Sequence, residues 1–367
     1  MPNINFCILN ERENITPPLN NWTYYFDIQD QNTEPEKKWR YAGFLEYFSI
    51  KKGRFLRSGV YLSHIVSKIK EIIVEKDIQV LVFEQTGILM WSWHRAFSDK
   101  VKCVLRIHDS QYHYLLSDIR IRKKIISKIA LLGSAFAQRR FESAHIRQWD
   151  QIQFLSQKEH QYYGRSYSDI AETFVYTPSS IVVQRNEYLL NPEKSTDILF
   201  VGTMNWKPNT DAVKWFLSQV LPLIKSELPN IKIKIIGKNA KQKINTTDKN
   251  IDVIGFVPSL DHELKSTKIF INPAQSGGGI KVKLMHASSY GIPIVSTSYG
   301  VLGFKDNIQN CLLINDKPLA FANHVIRMIR SNAIREEYSR KIFKYAQTQF
   351  NIQINQKKWK EEMNKII

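Results

Sequence analysis

The second half of the chain alternates short apolar runs with amphipathic stretches. Ile198 to Gly202 reads ILFVG, an apolar run ending in glycine. After it, Val213, Phe216, Leu217, Val220 and Ile224 recur at i, i+3, i+4, i+7 and i+11, the spacing of one helix face. Asn209 is the predicted N-cap, and Asp211 falls in the first turn, where a carboxylate suits the helix dipole. Apolar runs at 231–237, 251–257, 268–273, 292–297 and 311–315 predict further strands. Helices are expected over roughly 281–290, 318–331, 333–350 and 352–366.

The first half repeats the pattern more loosely. Strands are predicted at 78–86, 101–110, 152–156 and 173–177, and helices over 59–77 and 119–148. Short apolar strands alternating with helices imply βαβ units and a parallel sheet covered on both faces. The polar segment NEYLLNPEKSTD (186–197) separates two such halves. A ligand is expected in the crevice between them, outside the carboxyl ends of the strands. Domains are therefore assigned to residues 1–190 and 191–350, with a final helix over 351–367 expected to pack back on the first domain.

Composition changes this picture in one respect. The chain has 367 residues, of which 43% are hydrophobic and 23% charged, as in an ordinary globular protein. However, 52 Lys and Arg face 34 Asp and Glu, a net charge of +18, divided as +6 over residues 1–195 and +12 over 196–367. Such an excess predicts a polyanionic partner: nucleic acid, acidic membrane or a phosphorylated substrate. No helix-turn-helix, zinc-finger or aromatic RNA-binding signature occurs, which argues against nucleic acid. The sequence contains no apolar run of the roughly 18 residues a spanning helix needs. MPNINFCILNEREN lacks the charged and apolar regions of a secretory signal. Cys7, Cys103 and Cys311 are too dispersed for a disulfide framework, and the nine histidines show no metal-binding spacing. A cytoplasmic protein with no metal is expected.

The candidate chemistry begins at SGGGIKVKLMHASSYGIPIVST (276–297). Gly277, Gly278 and Gly279 follow a predicted strand and precede a helix starting near Ile280 or Lys281. Glycines there let the backbone approach a ligand, and the free amides of a helix start attract anions. Lys281 and Lys283 add positive charge, so the expected guest is a phosphate or pyrophosphate. A second glycine-ended strand, FVGTMNWKPNTDAV (200–213), offers Thr203, Asn205, Lys207 and the amides near Asn209; Trp206 reads as a packing residue. A third, IGFVPS (254–259), presents backbone groups beside Phe256 that suit a base edge.

The order VGTMNWKPN, IGFV, GGGIKVKLMHASSYGIPIVST and YGVLGF resembles the C-terminal domain of glycosyltransferase family 4, over about residues 196–350. That family comprises retaining, metal-independent enzymes of the GT-B fold, an α/β architecture of two Rossmann-like, doubly wound domains facing a central crevice. The resemblance implies a nucleotide-diphosphate sugar as donor. Phe256 and Val257 would hold the base, and Gly277, Gly278, Gly279, Ile280, Lys281 and Lys283 the diphosphate and sugar. The loop of Gly202 and Thr203 would close over the phosphates. Two glutamates of the family, eight positions apart, fall on Gly278 and His286; His286 retains the means to hydrogen-bond a ribose. The family's basic pair falls on Thr203 and Asn209, which leaves Lys207, Lys281 and Lys283 as the phosphate cations, with Lys283 assigned a catalytic role.

In the first half, VLRIHDSQYHY (104–114) places His108 at a strand end, where the resemblance puts a histidine beside the donor sugar. FEQT (83–86) places Glu84 at another strand end, as an acceptor contact or base. The opening departs from the family: ERENITPPLNN has no glycine, so the first strand–loop–helix unit is expected to be missing or divergent. The expected activity is transfer of a hexose to a bacterial envelope glycan or glycolipid of capsule, lipopolysaccharide or exopolysaccharide. The alternative is a non-catalytic GT-B scaffold or glycan-binding subunit. Basic residues mixed with apolar ones over 37–57 and 120–131 also suit a peripheral anionic membrane surface.

Overall fold

The computed structural model describes residues 6–10, 23–27, 67, 69–85, 94–122, 124–183, 185–190 and 194–366. The basic and aromatic stretch over 37–57 lies outside them. The described chain forms two compact units. One contains the residues up to Leu155, Glu159–Tyr176 and the tail from Glu361; the other contains Ser156–Lys158 and Thr177–Lys360.

The first unit is built on β1 (Phe6–Asn10), β2 (Thr23–Asp27), β3 (Val80–Gln85), β4 (Lys102–Ile107), β5 (Gln151–Phe154) and β6 (Phe174–Tyr176). All pair in parallel, in the order β2-β1-β3-β4-β5-β6. The opening run is therefore an inner strand, whatever lies between it and β2. Leu81, Phe83, Cys103, Leu105, Ile107, Ile152 and Phe154 are buried, because a parallel strand covered on both faces needs apolar side chains on both. The single helix predicted over 119–148 is two. Helix α1 spans Gln111–Ile121, capped by the Ser110 hydroxyl, and α2 spans Ile125–His145. Both Arg122 and Lys124 adopt extended backbone, which breaks the run.

The second unit is built on β7 (Thr196–Val201), β8 (Ile233–Ile236), β9 (Ile251–Ile254), β10 (Thr267–Asn272), β11 (Ile294–Ser296) and β12 (Leu313–Ile314). They too are parallel, in the order β12-β11-β10-β7-β8-β9. The chain winds outward from β7 to β9, returns to the other side of β7 as β10, and winds outward again. The switch point therefore lies between β7 and β10, where the carboxyl ends of neighbouring strands diverge and a ligand cleft forms. Two buried clusters flank this sheet, one around Phe200, Phe216, Ile269 and Phe321, the other around Leu199, Phe270, Leu284 and Ile342.

Helix α3 (Lys207–Trp215) follows β7, and its N-cap is Trp206 rather than Asn209. Pro208 in the first turn starts the helix early, since its fixed φ suits that position and its missing N–H costs nothing there. Beyond Trp215 the chain widens into a π turn over Phe216–Val220, in which the Leu221 N–H reaches back to the Phe216 carbonyl. Pro222 follows and has no N–H to continue a regular ladder. The predicted face holds through this turn, with Phe216, Val220 and Ile224 buried. The longer helices that follow are α4 (Val282–Ser289), α5 (Pro318–Arg330), α6 (Asn332–Gln349) and α7 (Ile352–Asn364), α7 running into the tail counted with the first unit. In that tail Met363 is fully buried, and the Gln153 amide lies against its sulfur.

Candidate phosphate site and acid–histidine pair

The carboxyl ends of β7 and β8 approach each other closely enough to require glycine. A Cβ on Gly237 would lie 2.0 Å from the Gly202 carbonyl oxygen, and one on Gly202 would lie 2.8 Å from the Asn209 amide. The two turns are then laced together. The Met204 N–H donates to the Lys238 carbonyl at 2.9 Å, and the Asn239 amide donates to Asn205 Oδ1 at 2.7 Å. Asn205, predicted as a ligand contact, is thus also a brace between turns. Asn209 sits in the first turn of α3, where its amide donates to the Thr203 carbonyl at 2.9 Å. Lys207 ion-pairs with Asp211 one turn along, so the carboxylate predicted to complement the helix end engages the predicted phosphate cation.

The glycine loop lies on the other side of the switch point. Gly277 has φ +120° and Gly279 φ +58°, conformations that a side chain would strain. The loop delivers α4 with Lys281 at its N-cap, no side-chain cap bond and no acidic residue in the first turn. Its amides and dipole therefore present uncompensated positive charge. Lys281 folds back so that its ammonium donates to the carbonyls of Gly278 and, at 3.0 Å, Gly279, holding the loop closed around itself. Lys283 reaches across the switch point: its Nζ donates to Asn209 Oδ1 at 2.7 Å and stands 4.3 Å from the centre of the Phe200 ring. Burial and the neighbouring Lys281 charge push the Lys283 ammonium down to about 7. A cation held that close to neutrality is poorly satisfied by its surroundings and gains from an incoming anion.

Gly303 supports the loop from below. Its φ is +92°, and a Cβ there would meet the Ile280 nitrogen at 2.8 Å and the Gly279 carbonyl oxygen at 2.9 Å. Ile280 packs partly buried against the second cluster. The rest of the predicted set is more open. Phe256 is 74% exposed just beyond β9, and Val257 is partly buried beside it. The strand itself stops at Ile254, so Gly255, Phe256 and Val257 belong to the loop after it. His286 is exposed in the last turn of α4.

In the first unit, Glu84 and His108 come together. Register pairs Glu84 with Arg106 across β3 and β4, and His108 lies just past the end of β4. Glu84 accepts a hydrogen bond from Arg106 at 3.1 Å and pairs with His108 through its other oxygen. Burial opposes ionisation of Glu84, yet the Arg106 and His108 charges outweigh it and hold the carboxyl at about 2. A carboxylate so stabilised orients His108 and accepts from it; it takes up a proton only in strong acid.

Sequence reasoning missed three roles. Asn209 was read as an N-cap whose neighbouring amides face the ligand, and its hydrogen bond from Lys283 was not foreseen. Arg106 was passed over beside the more conspicuous His108. Gly303 lay inside YGVLGF without a stated role. Among the described residues, no group of three or more His, Cys, Asp or Glu is placed to hold a metal ion, and no helix is long and apolar enough to cross a membrane.

Comparison with known proteins bears on the fold that carries these residues. Residues 195–331 match the family described as glycosyl transferases group 1. An uncharacterized 44.6 kDa protein in the cps region of Klebsiella pneumoniae is 26% identical over 297 residues, 78% of this chain and 74% of that protein. Among solved structures, Anabaena HepE in complex with UDP and glucose is similar over 98% of this chain and 99% of its own, with a TM-score of 0.65 at 10% identity. A point mutant of Staphylococcus aureus TarM, in complex with fondaparinux, alpha-GlcNAc-glycerol and UDP, is similar over 77% of this chain, with a TM-score of 0.55 at 12% identity. This chain spans just over half of TarM, 55% of its length. At such identities the structural likeness speaks to fold, and the fold is GT-B, with two Rossmann-like α/β domains.

Proposed function

With residues 195–331 formed as a group 1 glycosyl transferase domain, we propose that the chain is a retaining, metal-independent hexosyltransferase. Its donor is a nucleotide-diphosphate sugar. Its acceptor is an envelope glycan or glycolipid of capsule, lipopolysaccharide or exopolysaccharide. The observation that carries this reading is the β10–α4 turn: a glycine loop, an uncapped helix start, and Lys283 held near neutrality between Asn209 and Phe200. The UDP in HepE and TarM, and the cps region that houses the Klebsiella relative, support the same donor and pathway class.

In the proposed reaction the acceptor hydroxyl attacks the anomeric carbon on the face from which the diphosphate leaves. The bond from that carbon to the phosphate oxygen breaks, the bond to the acceptor oxygen forms, and the departing diphosphate takes the hydroxyl proton. Configuration is therefore retained. Negative charge grows on the leaving group, so catalysis depends on fixed positive groups aimed at it. Lys283, the α4 amides and Lys281 supply them without a metal. Phe256 and Val257 hold the base, Gly202 and Thr203 border the phosphates, and His286 lies on the helix whose start meets them. In the first unit His108, oriented by Glu84, is the proposed contact to the transferred sugar. The site of action is the cytoplasm, with peripheral attachment to its membrane.

Two observations favour the scaffold reading: Lys207 is engaged by Asp211, and Gly278 carries no carboxylate for the sugar. Calorimetry with UDP, GDP and ADP separates the two, because a scaffold need bind none of them. A thermal-shift screen of nucleotide sugars then identifies the donor, and proton NMR of the product's anomeric centre checks retention. An inverted product, or no nucleotide binding, overturns the proposal.

A further inference from the structure

The first unit carries an open groove of about 580 Å³, a size in the range of small-molecule sites. It lies where β4 and β5 begin, along the edge strand β6, and its far wall is the end of α7 and the residues after it. Every residue lining it belongs to this one unit. Lys102 lines it at the start of β4, and His108 lies six residues further on, just past the other end of that strand. At about 3.3 Å per residue the two are roughly 20 Å apart. The groove is therefore separate from the acid–histidine pair.

Its floor holds an amide with donors left over. Gln151 and Gln153 lie two apart on β5, so they share a face of the sheet, and both are buried. The Gln153 amide donates to Gln151 Oε1 at 2.7 Å and lies against the Met363 sulfur, so the Gln151 oxygen is engaged and its NH₂ group remains. That nitrogen donates to nothing among the described residues, although Gln151 is only 5% exposed and lines the groove. Two N–H groups so placed call for an acceptor from whatever fills the groove. At the rim Glu172 is exposed and has no ion pair among the described residues, so its carboxylate offers acceptors of its own. The other charges are matched in place: Lys102 with Asp150 at 3.0 Å, Lys365 with Glu362 at 2.7 Å.

That distribution selects the occupant. A phosphate would meet the Gln151 donors but be repelled by Glu172, while both lysines are already paired. An alkyl chain would leave the Gln151 amide unsatisfied. A metal ion or an ammonium group would suit Glu172 but not the N–H groups. Neighbouring hydroxyls of a sugar satisfy both, accepting from the amide and donating to the carboxylate. Val175 and Tyr176 line the same groove and supply carbon surface for the C–H faces of the ring.

We propose that the groove is a second saccharide site, in which an uncharged sugar unit is held between Gln151 and Glu172. On the transferase reading above, a unit held there keeps a long glycan acceptor on the protein between transfers, by raising its effective concentration. That role rests on the transferase reading; the site itself does not, so its test measures binding and not turnover.

Saturation-transfer difference NMR on the full-length protein uses maltotriose, tri-N-acetylchitotriose and the acidic trimer trigalacturonate. Transfer to a neutral trisaccharide is expected, with little or none to the acidic one. Glu172→Leu, at an exposed position, should weaken binding about tenfold with an unchanged thermal midpoint, and Gln151→Met, close in volume, about as much. Should Gln151→Met fail to fold, Glu172→Leu still decides. No transfer to either neutral probe overturns the proposal. So does transfer that survives the substitutions undiminished, which puts the sugar elsewhere, and so does stronger binding of trigalacturonate, which makes the groove an anion site. Nucleotide binding, measured separately by calorimetry, is indifferent to each of these outcomes.

Discussion

Lys283 in the first turn of α4 donates to Asn209 in the first turn of α3 across a 2.7 Å hydrogen bond. The two residues are 74 positions apart, and their helices follow neighbouring strands on either side of the switch point. The bond therefore joins the two glycine turns into one cradle and fixes the ammonium between them, beside the proposed diphosphate site. A Lys283→Ala variant keeps the glycines and helix amides but loses this cation. Turnover should fall by about a hundredfold or more, the scale seen when a fixed charge-stabilising group is removed. Lys283→Arg should recover part of the loss if charge is what matters. Initial rates at saturating donor decide, and a near-wild-type rate in Lys283→Ala would remove Lys283 from the catalytic set.

The same lysine makes nucleotide binding depend on pH. In the free protein burial and Lys281 hold Lys283 at about 7. A bound diphosphate favours the ammonium and raises that value. Below the free value the proton is already present, so affinity is insensitive to pH there. Above it, each binding event must take up a proton, and affinity should fall by up to about tenfold per pH unit. Calorimetry with UDP at pH 8 in two buffers of different ionisation enthalpy should report proton uptake. Lys283→Gln should report none; uptake unchanged in that variant would assign the proton elsewhere.

Gly303→Ala tests the loop without touching a charged group. The new methyl would sit 2.8 Å from the Ile280 nitrogen and 2.9 Å from the Gly279 carbonyl, both backbone atoms, at a φ of +92°. Neither neighbour is a flexible side chain, so the loop itself must shift. The expected cost is about 1–3 kcal/mol of stability, read as a lower midpoint in urea. UDP affinity should also fall, because the amides of Gly279 and Ile280 move with the loop. A variant that is destabilised yet binds UDP normally would show that the loop does not form the site.

The alternation of apolar runs was enough to place most strands within two or three residues, because a strand buried on both faces is apolar throughout. Ile251–Ile254 was predicted too long, since Gly255, Phe256 and Val257 continue the apolar run after the ladder has ended. Helix ends were harder. Asn209 has the chemistry of an N-cap, but Pro208 one residue earlier determines where α3 starts. The glycine turns and the lysines beside them were legible from residue types and spacing alone. The partners of those lysines were not, because Asp211 engaging Lys207 and Asn209 engaging Lys283 depend on side-chain directions that periodicity does not carry. The exposed half of α2 was legible only in part: the basic and apolar run over 120–131 suggested a surface, whereas Phe136 looks like a core position until the helix is seen to bury its other side.

Glu84 makes the first unit sensitive to acid. Its carboxyl is held at about 2, below its ordinary value of 4.5, by Arg106 and His108 acting against burial. A depressed carboxylate stabilises the fold at every pH above the ordinary value, and that contribution is lost as pH falls from there through the folded value. Wild-type protein should therefore lose stability steeply between about pH 5 and pH 2. Glu84→Gln should show a shallower fall over the same window. Near neutrality Glu84→Gln should already be less stable by about 3 kcal/mol, because Arg106 would remain with no carboxylate beside it. That expectation is sharpened by Arg106 Nε, which is buried without a hydrogen-bond partner among the described residues, so little else is placed to compensate. Urea midpoints at neutral and acid pH, for the wild type, Glu84→Gln and His108→Gln, resolve the pair. His108→Gln should retain most of the neutral-pH stability, since the Arg106–Glu84 bond survives in it. If Glu84→Gln matches the wild type at both pH values, the carboxylate does not hold the β3–β4 strand ends, and the orientation of His108 must come from another group.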